Sequence, residues 1–259
     1  KDFDEKEAQA AENFNKYLEP VNAKQVIFLT GMVNEKESSK HLSSREKVGE
    51  ILQEGNFHLT CLQAGIVVGS GSSSFEIIRD LCEKLPFMIT PRWVNTKTQP
   101  IAIRNVLQYL TGVLGNEKCY DEAFDIGGPE VLTYKKMMLQ YSKIRGLKLH
   151  IIGVPFMTPR LSSYWLYFVT STSYKLAVNL VDSMTVEVIS KDTRLQEMLN
   201  IESISYDEAI KMAFDKIEQN QVVSSWKDSK SSGRYKQKDL NKYIQVPKHG
   251  CLRDVQQQK

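Results

Sequence analysis

Two neighbouring stretches carry the side chains best suited to chemistry. Thr30 and Gly31 end an apolar run, and residues 41–52, "HLSSREKVGEIL", follow with the spacing of an amphipathic helix. A hydroxyl beside guanidinium and ammonium groups can bind or protonate a substrate oxygen. The four histidines are scattered, so no spacing indicates a metal site. Neither a Gly-x-Ser-x-Gly elbow nor a phosphate-binding Gly-x4-Gly-Lys loop occurs.

The elements that must position these side chains alternate between strand and helix. Apolar runs over 23–33 and 57–69 predict strands that are buried on both faces of a parallel sheet. Further strands are predicted in 122–129 and 147–155. Helices are predicted over 5–18, 41–52, 74–85, the later part of 99–115, 133–146 and 205–219. This order predicts an α/β fold with right-handed crossovers.

Local signals mark the ends and faces of these helices. Gly115 and Gly146 are predicted helix stops, and Ser205 with Glu208 forms a capping box. A stripe of Met and Tyr in 133–146 follows helical spacing and indicates a core-facing helix rather than a cofactor contact.

Ligands of parallel sheets bind beyond the carboxyl ends of the strands. That rule directs attention to three places, namely Thr30-Gly31, Gln63–Gly69 and Gln99–Ile103. Candidate binding residues are therefore expected in these three segments.

Composition sets limits on the class of protein. The chain has 259 residues, of which 41% are hydrophobic, enough for a sizeable core. Its four cysteines form no close pairs, which fits a reducing cytoplasm. The longest apolar runs, such as "WLYFV", are too short to span a bilayer. Because the chain opens on Lys1 in a helical pattern, we expect a missing N-terminal portion.

The last residues differ in charge from the rest. From Val222 onward there are nine Lys or Arg and three Asp, a net charge of +6, whereas the whole chain carries +3. No basic recognition helix or aromatic-studded sheet accompanies these charges, so we expect no nucleic-acid partner. Residues 222–259 are predicted to be a basic linker or arm, or the start of a further domain, without catalytic residues.

An ordered set of segments resembles a known family. The segments are "VIFLTGM", "LSSREKVGEIL", "LQAGIVVGSGSSSFEIIRDLCEKLP", "TQPIAIRNVLQYL", "FDIGGPEVLTYKKMM" and "VPFMTPRLSSYW". In this order they resemble the NAD(P)-binding short-chain dehydrogenase/reductase superfamily, in its extended and atypical branch. That branch includes bacterial proteins similar to NmrA and to nucleoside-diphosphate-sugar epimerases.

The resemblance implies a Rossmann-like sheet over residues 1–221, with a small mixed substrate subdomain over about 127–221. It also implies NAD or NADP as the cofactor. The family's glycine-rich phosphate loop follows its first strand, and this sequence lacks it. At about 30 residues per βαβ unit, the absent portion is roughly eighty residues. We therefore expect weak dinucleotide binding, or none, by this chain alone.

The helix over 41–52 departs from the family's catalytic pattern. Active relatives carry Tyr-x3-Lys here, and the lysine lowers the tyrosine pKa so that the phenol can exchange a proton. Alignment on Glu50 places Leu42 and Glu46 at those two positions. Lys47 is one residue off, about 100° around the helix. Thr30 matches the family's substrate-binding Ser or Thr, so Thr30 and Lys47 are the catalytic candidates.

Two interpretations of this helix remain open. Ser43 and Glu46 are explained by a capping box at the helix start. Alternatively Ser43, Ser44, Arg45 or Lys47 contacts the nicotinamide or its ribose.

The resemblance also assigns binding residues. The cofactor candidates are Gly31, Ala64, Gly65 and Ile66, and the substrate-pocket candidates are Gln99, Pro100 and Arg160. Small residues let the backbone approach the nicotinamide, so Gly65→Val is expected to weaken cofactor binding more than it lowers the melting temperature.

Two classes of function follow. One is an NAD(P)-dependent oxidoreductase, or a nucleotide-sugar-epimerase-like protein, with an atypical site that lacks Tyr-x3-Lys. The other is a non-catalytic NAD(P)H-sensing or scaffold protein of NmrA type. The substrate, and whether the protein forms oligomers, are left open by the sequence.

Overall fold

Helices and strands alternate along the part of the chain that the computed structural model describes, residues 2–32, 40–153 and 184–218. The helices are α1 (Asp2–Leu18), α2 (Lys40–Gln53), α3 (Ser73–Lys84), α4 (Ile103–Val113), α5 (Tyr134–Ile144), α6 (Arg194–Leu199) and α7 (Tyr206–Glu218). The strands are β1 (Gln25–Gly31), β2 (His58–Ala64), β3 (Val67–Val68), β4 (Phe87–Thr90), β5 (Lys97–Thr98), β6 (Ile101–Ala102), β7 (Glu122–Ile126), β8 (Leu132–Thr133) and β9 (His150–Gly153). These residues belong to one compact unit, Lys1–Trp226, and a second unit, Lys227–Lys259, lies outside the described residues.

The main sheet is parallel, as the alternation of elements predicts. Its order is β1-β2-β7, and the register places Thr30 opposite Gln63 and Gln63 opposite Asp125. The three carboxyl ends therefore meet at one edge, where ligands of such sheets bind. β3-β6, β4-β9 and β5-β8 form separate two-stranded sheets, and only the last is antiparallel. The predicted α/β architecture is confirmed.

Helices cover both faces of the sheet. Alternate residues of a strand point to opposite faces, so Phe28 and Leu59 pack with Leu52 of α2 and Ala11 of α1. On the other face, Leu62, Phe124 and Ile126 pack with Val106 and Tyr109 of α4. Thr30 has the parity of Phe28 and lies on the α2 face.

β1 is less buried than the sequence predicts, since a strand buried on both faces was expected. Its residues are half-buried, and Leu29 is 40% exposed. Within the described residues β1 pairs on one side only, with β2. A strand without a second neighbour leaves its side chains less covered, which is why the apolar run is not fully buried.

The predicted single strand over 57–69 is wrong in its second half. β2 ends at Ala64, and the chain leaves the main sheet to pair as β3 with β6. A Cβ at Gly65 would lie 2.6 Å from the backbone oxygen of Gln99. The Ile101 N–H then donates to the Ile66 oxygen at 2.8 Å. Gly65 thus lets the segment before β6 close against the end of β2.

A second core lies between α3, α5 and α7. Met137, Met138 and Tyr141 of α5 are buried there, which confirms the predicted core role of the Met and Tyr stripe. Phe75 of α3 and Phe214 of α7 meet the Tyr141 ring edge-on or tilted, at centroid distances of 6.2 and 5.6 Å. Such aromatic contacts join the three helices.

The predicted helix ends have mixed outcomes. Gly115 and Gly146 adopt φ values of 70° and 66°, as helix stops do, and the Glu208 N–H donates to Ser205 Oγ at 3.3 Å. The cap at Ser43 is wrong, because α2 begins at Lys40 and Ser43 lies inside the helix.

Tyr141→Phe tests how much the hydroxyl of Tyr141 contributes to the stability of the second core. The Tyr141 hydroxyl donates to Glu83 Oε1 at 2.8 Å, and burial raises the pKa of Tyr141 far above its ordinary value, so the hydroxyl stays a donor. We expect Tyr141→Phe to lower the free energy of unfolding by about 1 kcal/mol, measured by urea denaturation. Tyr109→Phe is the control, since no hydrogen bond to the Tyr109 hydroxyl occurs among the described residues. Equal losses in both variants would contradict a specific role for the bond.

Candidate functional site

A cavity of about 620 Å³ lies beside β1 and reaches the carboxyl ends of β1 and β2. Its lining contains Thr30, Gly31, Ala64 and Gly65. The structure therefore brings together four residues that were assigned to the site from sequence segments more than thirty positions apart.

The rest of this first cavity is mostly apolar. α1 contributes Ala10, Ala11 and Phe14, and β1 contributes Val26, Ile27 and Leu29. The two charged residues in its lining are Glu7 and Arg45. A planar, weakly polar ring fits such walls, while a charged group would need a partner there.

Thr30 carries a hydroxyl without a hydrogen-bond partner at the first cavity. Its Oγ1 is buried and has no hydrogen-bond partner among the described residues. Buried hydroxyls are normally satisfied, so an unpaired one next to a cavity is a candidate partner for a ligand oxygen. The catalytic assignment of Thr30 remains a prediction.

A second cavity, of about 280 Å³, lies on the α2 face of the sheet. Polar residues line most of it, including Cys61 and Gln63 of β2 and Glu46 and Glu50 of α2. Phe28, Thr30 and Arg45 line both cavities, so the two adjoin at these residues.

The Cys61 thiol does not supply a nucleophile in this second cavity. Burial raises the pKa of the Cys61 thiol, the hydrogen bond with Gln63 opposes this rise, and the Asp125 charge adds to it. The thiol is therefore neutral at physiological pH, whereas the thiolate is the reactive form. Burial likewise raises the pKa of the Asp125 carboxyl, which accepts a hydrogen bond from the Lys191 N–H at 3.3 Å.

Two basic residues of α2, Arg45 and Lys47, are both exposed but differ in what they border. Arg45 lines both cavities, whereas Lys47 lines neither. Glu46, which aligns with the family's lysine, lines the second cavity. The catalytic assignment of Lys47 remains a prediction, and the side chains of Ser43 and Ser44 lie outside the described part.

Gln99 and Pro100 pack against two other segments of the chain. The Gln99 Nε2 donates to the Gly128 oxygen at 2.6 Å, and its Oε1 accepts from the Ser190 N–H at 2.9 Å. A Cβ at Gly128 would collide with the Pro100 oxygen. Both residues therefore have a clear packing role, and their predicted contact with substrate remains a prediction.

Two other predicted site residues lie elsewhere. Ile66 is half-buried, packs against the second core and lines neither cavity. Arg160 lies outside the described residues. Their predicted roles are not tested by this geometry.

Sequence reasoning did not single out the second cavity. Its strand residues Phe28, Thr30, Cys61 and Gln63 alternate along β1 and β2, so their common face could have been inferred from strand parity. Which helix residues face them depends on how α2 rests on the sheet.

Two negative findings concern the residues that the structure describes. They contain no group of three or more His, Cys, Asp or Glu side chains arranged to hold a metal ion. Among them there is also no helix long and apolar enough to cross a membrane.

Comparisons with known proteins identify the fold. No known family model and no curated protein matches the sequence. Among solved structures, an NADPH-dependent quinone oxidoreductase from Escherichia coli, complexed with NADPH, has a TM-score of 0.66 at 12% identity. That match covers 80% of this chain and 71% of the other.

Two further solved structures are similar to this chain. A nucleoside-diphosphate-sugar epimerase from Staphylococcus aureus has a TM-score of 0.62 at 9% identity, covering 78% of this chain and 69% of the other. A short-chain dehydrogenase/reductase superfamily protein from Agrobacterium tumefaciens with bound NAD has a TM-score of 0.57 at 10% identity, covering 83% and 74%. The chain thus has the Rossmann-like fold of these proteins, and the resemblance predicted from the sequence is confirmed at the level of the fold.

Proposed function

We propose that this chain forms the substrate side of an NAD(P)-dependent oxidoreductase with an atypical proton-transfer site. The observation that carries the proposal is the first cavity, which unites Thr30, Gly31, Ala64 and Gly65 at the carboxyl ends of β1 and β2. Solved structures of the same fold include reductases and epimerases whose complexes contain NADPH or NAD, which supports a dinucleotide ligand.

The residues of the cavity fit the nicotinamide end of such a ligand. Small side chains at Gly31 and Ala64 leave room at the strand ends for a flat ring, whereas the space beside Gly65 is taken by the Gln99 backbone. We propose that the Thr30 Oγ1, which has no hydrogen-bond partner among the described residues, donates to a substrate carbonyl oxygen. When bound, NAD(P)H supplies the hydride.

Thr30 would act on the oxygen where negative charge develops. A hydride adds to the carbonyl carbon, and the oxygen gains charge before it takes a proton from water. A hydroxyl aimed at this oxygen stabilises the charge more strongly in the transition state than in the ground state. The absence of a phenol on α2 removes the family's usual proton donor, so we expect slow turnover.

Binding of the pyrophosphate requires groups that this sequence lacks. A helix N-terminus behind a glycine-rich turn normally holds it, and no Gly-x-x-Gly-x-x-Gly occurs in the chain. We therefore expect NADPH and NADH to bind this chain only weakly, and to bind tightly to a longer form with a glycine-rich strand-turn-helix ahead of Lys1.

Calorimetric titration and turnover assays test the proposal. NADPH and NADH are titrated into both forms, and oxidation of each is followed with a panel of carbonyl and quinone substrates. Tight binding and measurable turnover by the longer form are expected. Absence of dinucleotide binding in both forms would overturn the proposal. Equally tight binding by both would contradict the expectation that the pyrophosphate needs the glycine-rich segment of the longer form.

A non-catalytic NAD(P)H sensor is the second candidate. The exposure of Lys47 outside both cavities favours it, because neither a phenol nor this ammonium is then positioned for proton transfer. Saturable dinucleotide binding without turnover of any substrate in the panel would support the sensor over the oxidoreductase.

A further inference from the structure

Arg45 occupies an unusual position between the two cavities. It projects from α2 and lines both of them, together with Thr30 and Phe28. Lys47, two residues later on the same helix, lines neither, although the two residues are both exposed. Of the α2 cations whose side chains the structure describes, Arg45 is therefore the one that borders the site, and it lines both cavities together with the threonine proposed to bind a carbonyl oxygen.

The charge of Arg45 has no partner within the described residues. On a helix, ion pairs form three or four residues apart, and those positions around Arg45 are His41, Leu42, Val48 and Gly49. No hydrogen bond or ion pair involving Arg45 occurs in the described part of the protein. Arg79, Arg145 and Arg194 are paired there, the last with Asp192 at 3.0 Å. No ion pair along α2 explains Arg45.

The charges of the two cavities decide where an anion could sit. The second cavity is lined by four carboxylates, Glu46, Glu50, Asp121 and Glu122. They would repel an anion from that side. The first cavity has one lining carboxylate, that of Glu7, and otherwise mostly apolar walls.

An anion in the first cavity would need a charged hydrogen-bonding partner, because burial of an unpaired charge against apolar walls is costly. The planar guanidinium can provide it with two parallel N–H donors that match a carboxylate. Thr30 lines the same cavity, and its hydroxyl has no hydrogen-bond partner among the described residues, so it is the candidate partner for a second oxygen of the ligand.

We propose that Arg45 makes the site selective for carbonyl substrates that carry a carboxylate. The carboxylate binds Arg45 from the first cavity, and the carbonyl oxygen lies at Thr30. This inference rests on the proposed oxidoreductase function and names the substrate class of that same site.

Paired probes test the selectivity. 4-Carboxybenzaldehyde and its neutral methyl ester, methyl 4-formylbenzoate, differ in charge but present the same aldehyde. Each is assayed with NADPH in the dinucleotide-binding form of the protein, as wild type and as Arg45→Gln, Arg45→Lys and Lys16→Gln. The last variant removes an exposed cation of α1 that lines neither cavity.

Wild type is expected to favour the acid. Arg45→Gln is expected to lower kcat/KM for the acid at least about tenfold, because the carboxylate loses its charged partner, and to leave the ester within about twofold. Arg45→Lys restores part of the preference, since it keeps the charge without the two-pronged geometry. Lys16→Gln leaves the ratio unchanged. Equal use of acid and ester by wild type, or an equal effect of Lys16→Gln, would overturn the proposal.

A binding measurement separates this inference from the proposed function. 4-Carboxybenzaldehyde and the ester are titrated calorimetrically into the same four proteins without cofactor. Binding of the acid that Arg45→Gln abolishes and Lys16→Gln preserves supports the carboxylate site, even where no probe is turned over and the oxidoreductase proposal fails. Turnover of both aldehydes without any Arg45-dependent preference overturns the carboxylate site and leaves the oxidoreductase proposal standing.

Discussion

Thr30→Val is expected to lower the turnover of NADPH with a carbonyl substrate at least roughly tenfold, with little change in the melting temperature. Valine has nearly the shape of threonine but no hydroxyl. The Thr30 Oγ1 has no hydrogen-bond partner among the described residues, so its removal breaks no bond there. Steady-state kinetics in the dinucleotide-binding form and a thermal unfolding curve measure the two effects.

Thr60→Val is the matched control on the neighbouring strand. The Thr60 hydroxyl is buried, donates to the Cys119 oxygen at 2.7 Å and accepts from Gln25 Nε2 at 2.8 Å. Its loss leaves buried partners unsatisfied and should cost about 1–3 kcal/mol of stability. We expect Thr60→Val to lower stability and Thr30→Val to lower turnover. Unchanged turnover in Thr30→Val would remove Thr30 from the site.

Gly65→Ala is expected to lower the free energy of unfolding by about 1–3 kcal/mol. An added Cβ would lie 2.6 Å from the Gln99 backbone oxygen, and a backbone atom cannot rotate away as a side chain can. The segment before β6 would have to move. Chemical denaturation of wild type and variant measures the loss.

This packing changes the expectation drawn from the sequence for position 65. A side chain there acts first on the fold, and any effect on cofactor binding accompanies a loss of stability. Gly49→Ala is the control, because its Cβ would meet Phe28 at an ordinary 4.0 Å within a helix. Alanine is the better helix former by about 1 kcal/mol, so Gly49→Ala should stabilise. A Gly65→Ala protein as stable as wild type, with weaker NADPH binding, would restore the original expectation.

Much of the fold was predictable because it depends on local patterns. The Met and Tyr spacing of α5, the stops at Gly115 and Gly146 and the cap at Ser205 are properties of a few adjacent residues. The apolar runs of β1 and β2 likewise predicted neighbouring parallel strands. The four-residue strand β4 (Phe87–Thr90) was not predicted, because so short a run shows no distinct hydrophobic periodicity.

The sequence by itself determined the element order and the parallel α/β class. It also determined the candidate residues Thr30, Gly31, Ala64 and Gly65, because each was chosen by its residue type and its position in an element. Only the tertiary structure decided that the run after β2 breaks at Gly65, because the Gln99 backbone that closes against it lies more than thirty residues away. It also decided that Arg45, and not Lys47, borders the cavities. The rotation of α2 on the sheet sets that choice, and the contacts of Leu52 and Val48 with Phe28 and α1 fix the rotation.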